Sequence, residues 1–324
     1  MRVRLFSLCV TVLAAFAAGA QDPVGSKKVK VFILAGQSNM QGKGSAEHLD
    51  KLVQSEPEKF GHLKKDGKWA ERDDVWIYFG DLRGKEFARK GHLTVGYGFP
   101  PGRVGPELGI GKALGDAIEE PVLLLKACCG GQSLAVDFRS LSAGKWDKPV
   151  EQLHDGVMWK PGTTGWAYKQ IFTEKHHCLD NLGQTFPDLA GREYEIAGLI
   201  WVHGWNDLIN ADRRKEYTSN LAHFIRDLRK DLKTPELPVI IGVVGHGGDK
   251  PDQAGQEMRK AQTAVAEMDE FRATVVAVPM APYWDPTTKY DGGYHYNGSA
   301  RFYYGAGEAL GQAMVELLKK RSAK

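Results

Sequence analysis

Charge of one sign is what this sequence most plainly lacks. Its 43 Lys and Arg stand against 40 Asp and Glu, a net charge of +3 in 324 residues. That balance provides neither the basic footprint of a nucleic-acid binder nor an acidic tail. Cysteine is scarce, four in all. Three of them, Cys128, Cys129 and Cys178, lie beyond the first twenty residues, too few and too odd in number for a disulfide scaffold. The adjacent pair sits in an apolar run and reads as small hydrophobic packing; a bridge to Cys178 stays open. Long hydrophobic runs are missing. The longest, inside "MRVRLFSLCVTVLAAFAAGA", is about 12 residues, short of the ~20 that span a bilayer as a helix. Repeats and low-complexity tracts are absent. "GIGKAL" lacks the spacing and the Ser/Thr of a phosphate-binding loop. "GVVGHGGD" is not followed by the glycine spacing of a dinucleotide site, and reads as a rim loop. His176, His177 and Cys178 resemble metal-ligand spacing, but adjacent helical residues point about 100° apart. No metal and no other cofactor is therefore expected.

What is present begins with a leader. Arg2 and Arg4 precede an apolar stretch, and Ala18-Gly19-Ala20 offers a small-residue cleavage site. The expectation is a signal peptide over 1–20 and a single mature domain over 21–324, exported to a periplasmic or extracellular space, with no stable membrane insertion. An uncleaved anchor is the plainer alternative. Five apolar runs without in/out alternation (29–35, 122–127, 196–202, 239–244 and 273–278) read as buried parallel strands. A shorter run, 75–79, reads as an edge strand or hairpin. Helical spacing covers 106–118, 168–182, 217–232, 253–268 and 299–319. The alternation predicts an α/β fold, a three-layer α/β/α sandwich around a mostly parallel five-stranded sheet, with the site at the strands' C-terminal ends. The poorly periodic stretches 44–103 and 140–164 read as loop insertions.

Chemistry-bearing residues gather at those strand ends. The first strand ends on Gly36-Gln37-Ser38-Asn39-Met40, the second on "KACCGGQSL", and the third on "WVHGWND". "YDGGYHYNG" precedes the last helix. A serine becomes a nucleophile when an imidazole takes its proton, and a carboxylate fixes that imidazole's tautomer. The developing oxyanion needs preset N–H donors, which glycine turns bring close. Ser38 offers a hydroxyl and a backbone N–H, Gly130-Gly131 a second donor, and His203 a third through a ring nitrogen. Asp291 and His295 stand ready on the last loop. Gln37, Asn39, Trp205 and Asn206 flank these groups and are assigned to substrate binding, Gln37 and Asn39 also to holding the turn. Glu107 stands apart from them, read first as a first-turn acid complementing its helix dipole and second as a residue lining the cleft. Each piece alone has a bland reading: a turn serine, a tight loop or an ordinary histidine. Their joint placement after successive strands selects the catalytic one.

Taken together, these blocks resemble the SGNH hydrolases, nearest to the sialate O-acetylesterase and acetylxylan-esterase-like carbohydrate esterases (carbohydrate esterase family 6). The resemblance runs in order from about Val29 to the final helix, and "GQSNM" is its most specific element. It implies hydrolysis of acetyl esters on a carbohydrate without a metal, with Ser38 as nucleophile, His295 as general base, and oxyanion donors at Ser38 and the Gly130-Gly131 turn. Two departures stand out. Relatives commonly read Trp-x-Gln-Gly-Glu in the third block, where this chain has His203 and Trp205. Many place Asp three residues before the catalytic His; here that position is Gly292 and Asp291 is one further back. Asp291 is taken as the orienting acid, with Asp285, a remote acid, a backbone carbonyl or an unassisted dyad as alternatives. The expected partner is an acetylated carbohydrate, with no nucleic acid and no fixed oligomeric state. The rival functions are a catalytically impaired carbohydrate-binding protein on the same fold and a lipase- or thioesterase-like hydrolase. Trp69, Trp76, Trp146, Trp159, Trp166, Tyr283 and Trp284 are either sugar-stacking faces or loop anchors.

Overall fold

The computed structural model describes residues 27–82, 88–148 and 164–323. The expected leader over 1–20 and Trp159 lie outside them. In chain order the strands are β1 (Val29–Gly36), β2 (Lys64–Lys65), β3 (Lys68–Trp69), β4 (Val75–Asp81), β5 (Arg89–His92), β6 (Val122–Cys128), β7 (Tyr194–Val202), β8 (Val239–Val243) and β9 (Val275–Pro279). The helices are α1 (Ser38–Gln41), α2 (Ala46–Ser55), α3 (Pro57–Phe60), α4 (Glu107–Ala117), α5 (Trp166–Leu179), α6 (Leu182–Thr185), α7 (Trp205–Leu208), α8 (Ala211–Asp231), α9 (Gln253–Glu267) and α10 (Ala300–Ser322).

Seven strands form one sheet in the order β5-β4-β6-β1-β7-β8-β9. All neighbours pair in parallel except β4 and β5. The α/β class expected from the sequence is therefore correct, and the five-strand count is two short. The run 75–79 is not an edge strand: it pairs in parallel with β6 and antiparallel with β5, the next strand in the chain, as the hairpin alternative expected. β5 itself, "RKGH", carries no apolar run and is legible only as β4's partner. The stretch 44–103 is also more ordered than a loop insertion: it holds α2, α3, the β2–β3 hairpin, β4 and β5.

Alternation along the inner strands builds two cores, because successive strand side chains point to opposite faces. Val29, Val31, Ile33 and Ala35 of β1 join Leu123, Leu125, Leu199, Trp201 and Ile241 beneath α5, α8 and α9. Phe32 and Leu34 join Leu124, Ile200 and Ile240 beneath α2, α4 and α10. The strands lacked alternation in the sequence because both faces are covered. α4 and α10 cross closely enough that a Cβ on Gly109 would lie 2.2 Å from Tyr304 O, and one on Gly307 2.2 Å from Pro106 O. α8 starts earlier than its periodicity suggested, at Ala211, where the Asn210 side chain accepts the Arg213 N–H as an N-cap.

Candidate active site

Strand register assembles the site. Gly36, the last residue of β1, pairs with Cys128, the last of β6, on one side and with Val202, the last of β7, on the other. Three chain segments therefore leave the sheet side by side: Gln37-Ser38, Cys129-Gly130 and His203-Gly204. Gly36 is required here. Its φ is +147°, and a Cβ would lie 2.1 Å from Val202 O. Ser38 opens the single turn α1 and is 8% exposed. As the first residue of a helical turn it carries a backbone N–H that the turn does not use. Gly130 stands directly against it: a Cβ there would lie 3.5 Å from Ser38 Cβ and 3.0 Å from Gln41 Oε1. Gly131 follows with φ +81°.

The loop before α10 brings Asp291 to His295. Asp291 Oδ1 accepts the Gly292 N–H at 2.7 Å and lies 3.1 Å from His295 Nδ1. The backbone folds back as the Asp291 amide donates to Asn297 O and both His295 and Asn297 donate to Gly292 O. Tyr296 and Asn297 take left-handed φ values of 50° and 56° to allow this. Asp285, the alternative acid, is occupied elsewhere. Burial pushes its carboxyl up, but hydroxyl and amide donors from Thr287 and Thr288 outweigh that and hold it at about 2.

Asn39 ties this loop to the serine turn. Its Nδ2 donates to Tyr294 O at 3.1 Å, and its Oδ1 accepts the Tyr303 hydroxyl at 2.7 Å. That hydroxyl lies 3.3 Å from His295 O. Asn39 is 4% exposed and Gln37 1%, so both are interior clamps, not the substrate-binding groups the sequence suggested. In the orientation that satisfies it, the Gln37 amide donates to Gln132 O at 3.0 Å and accepts the Trp205 N–H at 3.2 Å. Asn206 is also turned inward, its Nδ2 donating to Gln132 O at 3.1 Å. Trp205 remains half-buried beside His246 and Tyr294.

His203 departs furthest from expectation. It is not an oxyanion donor, because both ring nitrogens are engaged inside the protein. Nε2 donates to Gln132 O at 3.0 Å, and Nδ1 accepts the Tyr217 hydroxyl at 3.1 Å. The ring is stacked on Trp201 at 4.9 Å and on Tyr217 at 5.9 Å. Burial lowers its pKa to about 3, and the bond to Gln132 counters only part of this. Its role is to hold the carbonyl of Gln132, and with it the loop after Gly130-Gly131.

Three supporting roles escaped the sequence reading. Asp207, fully buried, accepts the Leu134 and Ala135 N–H groups at 2.9 Å each. Burial pushes its pKa up to about 7, against those two bonds. Gln132 supplies the carbonyl on which Gln37, His203 and Asn206 converge; "GGQS" held its only trace. Lys126, also fully buried, donates to Gln41 O at 2.9 Å, to Tyr97 O at 2.8 Å and to Glu107 Oε2 at 2.7 Å. Glu107 thus pairs with Lys126 and accepts the Gly105 N–H; it neither serves only the helix dipole nor lines the cleft. A lysine inside "VLLLKACC" was the available signal, since a buried charge demands a partner. Cys128, Cys129 and Cys178 are all buried, and no disulfide joins them. Trp166 anchors a loop by donating to Asp137 at 3.0 Å, and Trp76 is buried in the core.

The parallel sheet, the serine turn and the Asp–His loop define a class: carboxylic-ester hydrolases of α/β/α architecture. A family model described as carbohydrate esterase, sialic acid-specific acetylesterase, matches residues 28–314, and the chain belongs to that family. A probable carbohydrate esterase of Arabidopsis thaliana is 23% identical over 252 residues, covering 75% of this chain and 76% of that one. The solved structure of an Arabidopsis thaliana protein superposes with a TM-score of 0.55 at 17% identity, over 90% of this chain and 99% of that chain. A carbohydrate acetylesterase from Xanthomonas citri superposes with a TM-score of 0.53 at 15% identity, over 87% of this chain and 55% of that chain. The structural likenesses concern the fold.

Proposed function

We propose that the protein is an exported serine esterase that removes O-acetyl groups from a carbohydrate through an acetyl-enzyme. The observation that carries this reading is the Asp291–His295 contact on a loop that Asn39 fastens to the turn of Ser38. With Nδ1–H directed at Asp291, Nε2 of His295 is the basic nitrogen. It takes the proton of Ser38 as Oγ attacks the acetyl carbonyl. The oxyanion is received by the N–H groups of Ser38 and the Gly130-Gly131 turn. Collapse breaks the bond to the sugar oxygen, which leaves with the proton from His295. Water, deprotonated by His295, then attacks the acetyl-enzyme and releases acetate and Ser38. Asp291 is the orienting acid in this scheme, and Asp285, held by its threonines, is not. Membership of the carbohydrate esterase family supports the sugar substrate. The leader-like 1–20 supports export. Among the described residues no helix is long and apolar enough to cross a membrane.

The test is acetate release from a panel of acetylated glycans. Ser38→Ala should abolish turnover with the fold intact, and Asp291→Asn should lower kcat more than about tenfold. Wild-type rates in Ser38→Ala would refute the mechanism. Activity rising from acetyl to octanoyl esters would refute the acetyl preference.

A further inference from the structure

The residue before His295 is a tyrosine left in water at the mouth of the site. With Leu141 and Ile209, Tyr294 is one of the large apolar side chains exposed among the described residues, at 47%. Its backbone is nevertheless held on two sides. Its carbonyl accepts Asn39 Nδ2 at 3.1 Å and His246 Nε2 at 3.1 Å. Its ring packs over Gly292, where a Cβ would lie 2.5 Å from Cε1. The ring stands edge-on to His295, with centroids 4.4 Å apart and planes at 64°. It also lies 6.1 Å from Trp205. Trp205 in turn leans on His246, and His246 stacks on Tyr296 at 4.1 Å. A rigid aromatic face is therefore presented to solvent beside the proton-transferring residue, backed by a second aromatic layer. One side of the ring is packed and nearly half its surface stays wet. Tyrosine offers large, amphipathic contact area with few rotamers to freeze, and a pyranose has an apolar C–H face of matching size.

We propose that the exposed face of Tyr294 is the surface on which the sugar ring carrying the ester rests while Ser38 and His295 act on it. The inference rests on the carbohydrate reading above and adds the residue that recognises the sugar. It is tested by kcat/KM for an acetylated methyl glycoside against ethyl acetate, which carries the same acyl group but no ring. In Tyr294→Ala and Tyr294→Leu the ratio of the two should fall by about tenfold, the scale of one aromatic stacking contact. Tyr294→Phe, which keeps the ring, should hold the ratio within about twofold. A ratio unchanged in the Ala and Leu variants, including an equal loss on both esters, would overturn the inference while leaving the esterase reading standing. Ser38-dependent cleavage of ethyl acetate by the wild type, with none of the glycoside or of acetylated glycans, would instead overturn the carbohydrate reading and this inference with it.

Discussion

The amide of Asn39 joins the loop of His295, through Tyr294 O, to Tyr303 of α10, and the imidazole of His203 joins the loop after Gly130, through Gln132 O, to Tyr217 of α8. Neither side chain faces a ligand; each sets where another chain segment lies. For His203 this has a measurable consequence in pH. The buried ring stays neutral in the folded protein down to about pH 3, whereas in an unfolded chain it takes a proton near pH ~6.5. Unfolding therefore binds a proton as the pH falls. The stability that this histidine contributes is full above about pH 6.5 and is lost progressively towards its folded value. His203→Gln removes the titration. Between about pH 6 and 4 the slope of unfolding free energy against pH should be shallower in the variant by about 1.4 kcal/mol per pH unit. His246, lowered by burial to about 4, titrates in both proteins; Asp207, raised to about 7 with Oδ2 3.7 Å from His203 Nε2, is taken out of the comparison by making it in an Asp207→Asn background. Urea unfolding across that range checks it, and parallel slopes would contradict it.

At the scale of elements, the site stands on a buried ion pair. Lys126 extends from β6 to the carbonyl that ends α1, to the loop carbonyl of Tyr97, and to Glu107 at the start of α4. It lies 4.6 Å from the ring centroid of Phe79 on β4. The cation is thus enclosed by strand, helix and loop with no solvent to replace a lost partner. Removing one member of such a pair leaves the other buried and uncompensated, at a cost of about 3–5 kcal/mol. Lys126→Met should lose stability on that scale in denaturant unfolding. The double variant Lys126→Met/Glu107→Gln should recover much of the loss, because the amide oxygen of Gln still accepts the Gly105 N–H while the unpaired charge is gone. Equal losses in the single and double variants would mean that the charge itself is not what the interior must neutralise.

At the scale of the molecule, both core layers are anchored on the same strands. β1 alone sends Val31 and Ile33 to one layer and Phe32 and Leu34 to the other. The second layer is closed by the glycine-lined crossing of α4 and α10. Neither layer can melt without exposing the shared strands. The expectation is therefore one unfolding transition, with tryptophan fluorescence and far-UV circular dichroism giving the same midpoint in urea. Separate midpoints would show that the layers unfold independently and would argue against a single domain over 21–324.

The sequence by itself determined the class of the fold and the serine turn. Unbroken apolar runs mark strands covered on both faces, and a Gly-Gln-Ser after such a run marks a strand end that lifts a hydroxyl. Both are local properties of consecutive residues. It also carried Asp291 and His295 as neighbours on one loop, though not their contact, since the Gly292-Gly293 pair allows several paths. Only the tertiary structure decided which polar residues face the cleft and which face inward. His203, Gln37, Asn39 and Asn206 look like site residues in the sequence because they follow strand ends. Their orientation is set instead by partners far along the chain: Gln132, Tyr217, Tyr294 and Tyr303. The same holds for Lys126 with Glu107, for β5 on the flank of β4, and for the exposed ring of Tyr294. A side chain's direction at a strand end depends on what the neighbouring strands bring beside it, and that is fixed by register across the sheet rather than by spacing along the chain.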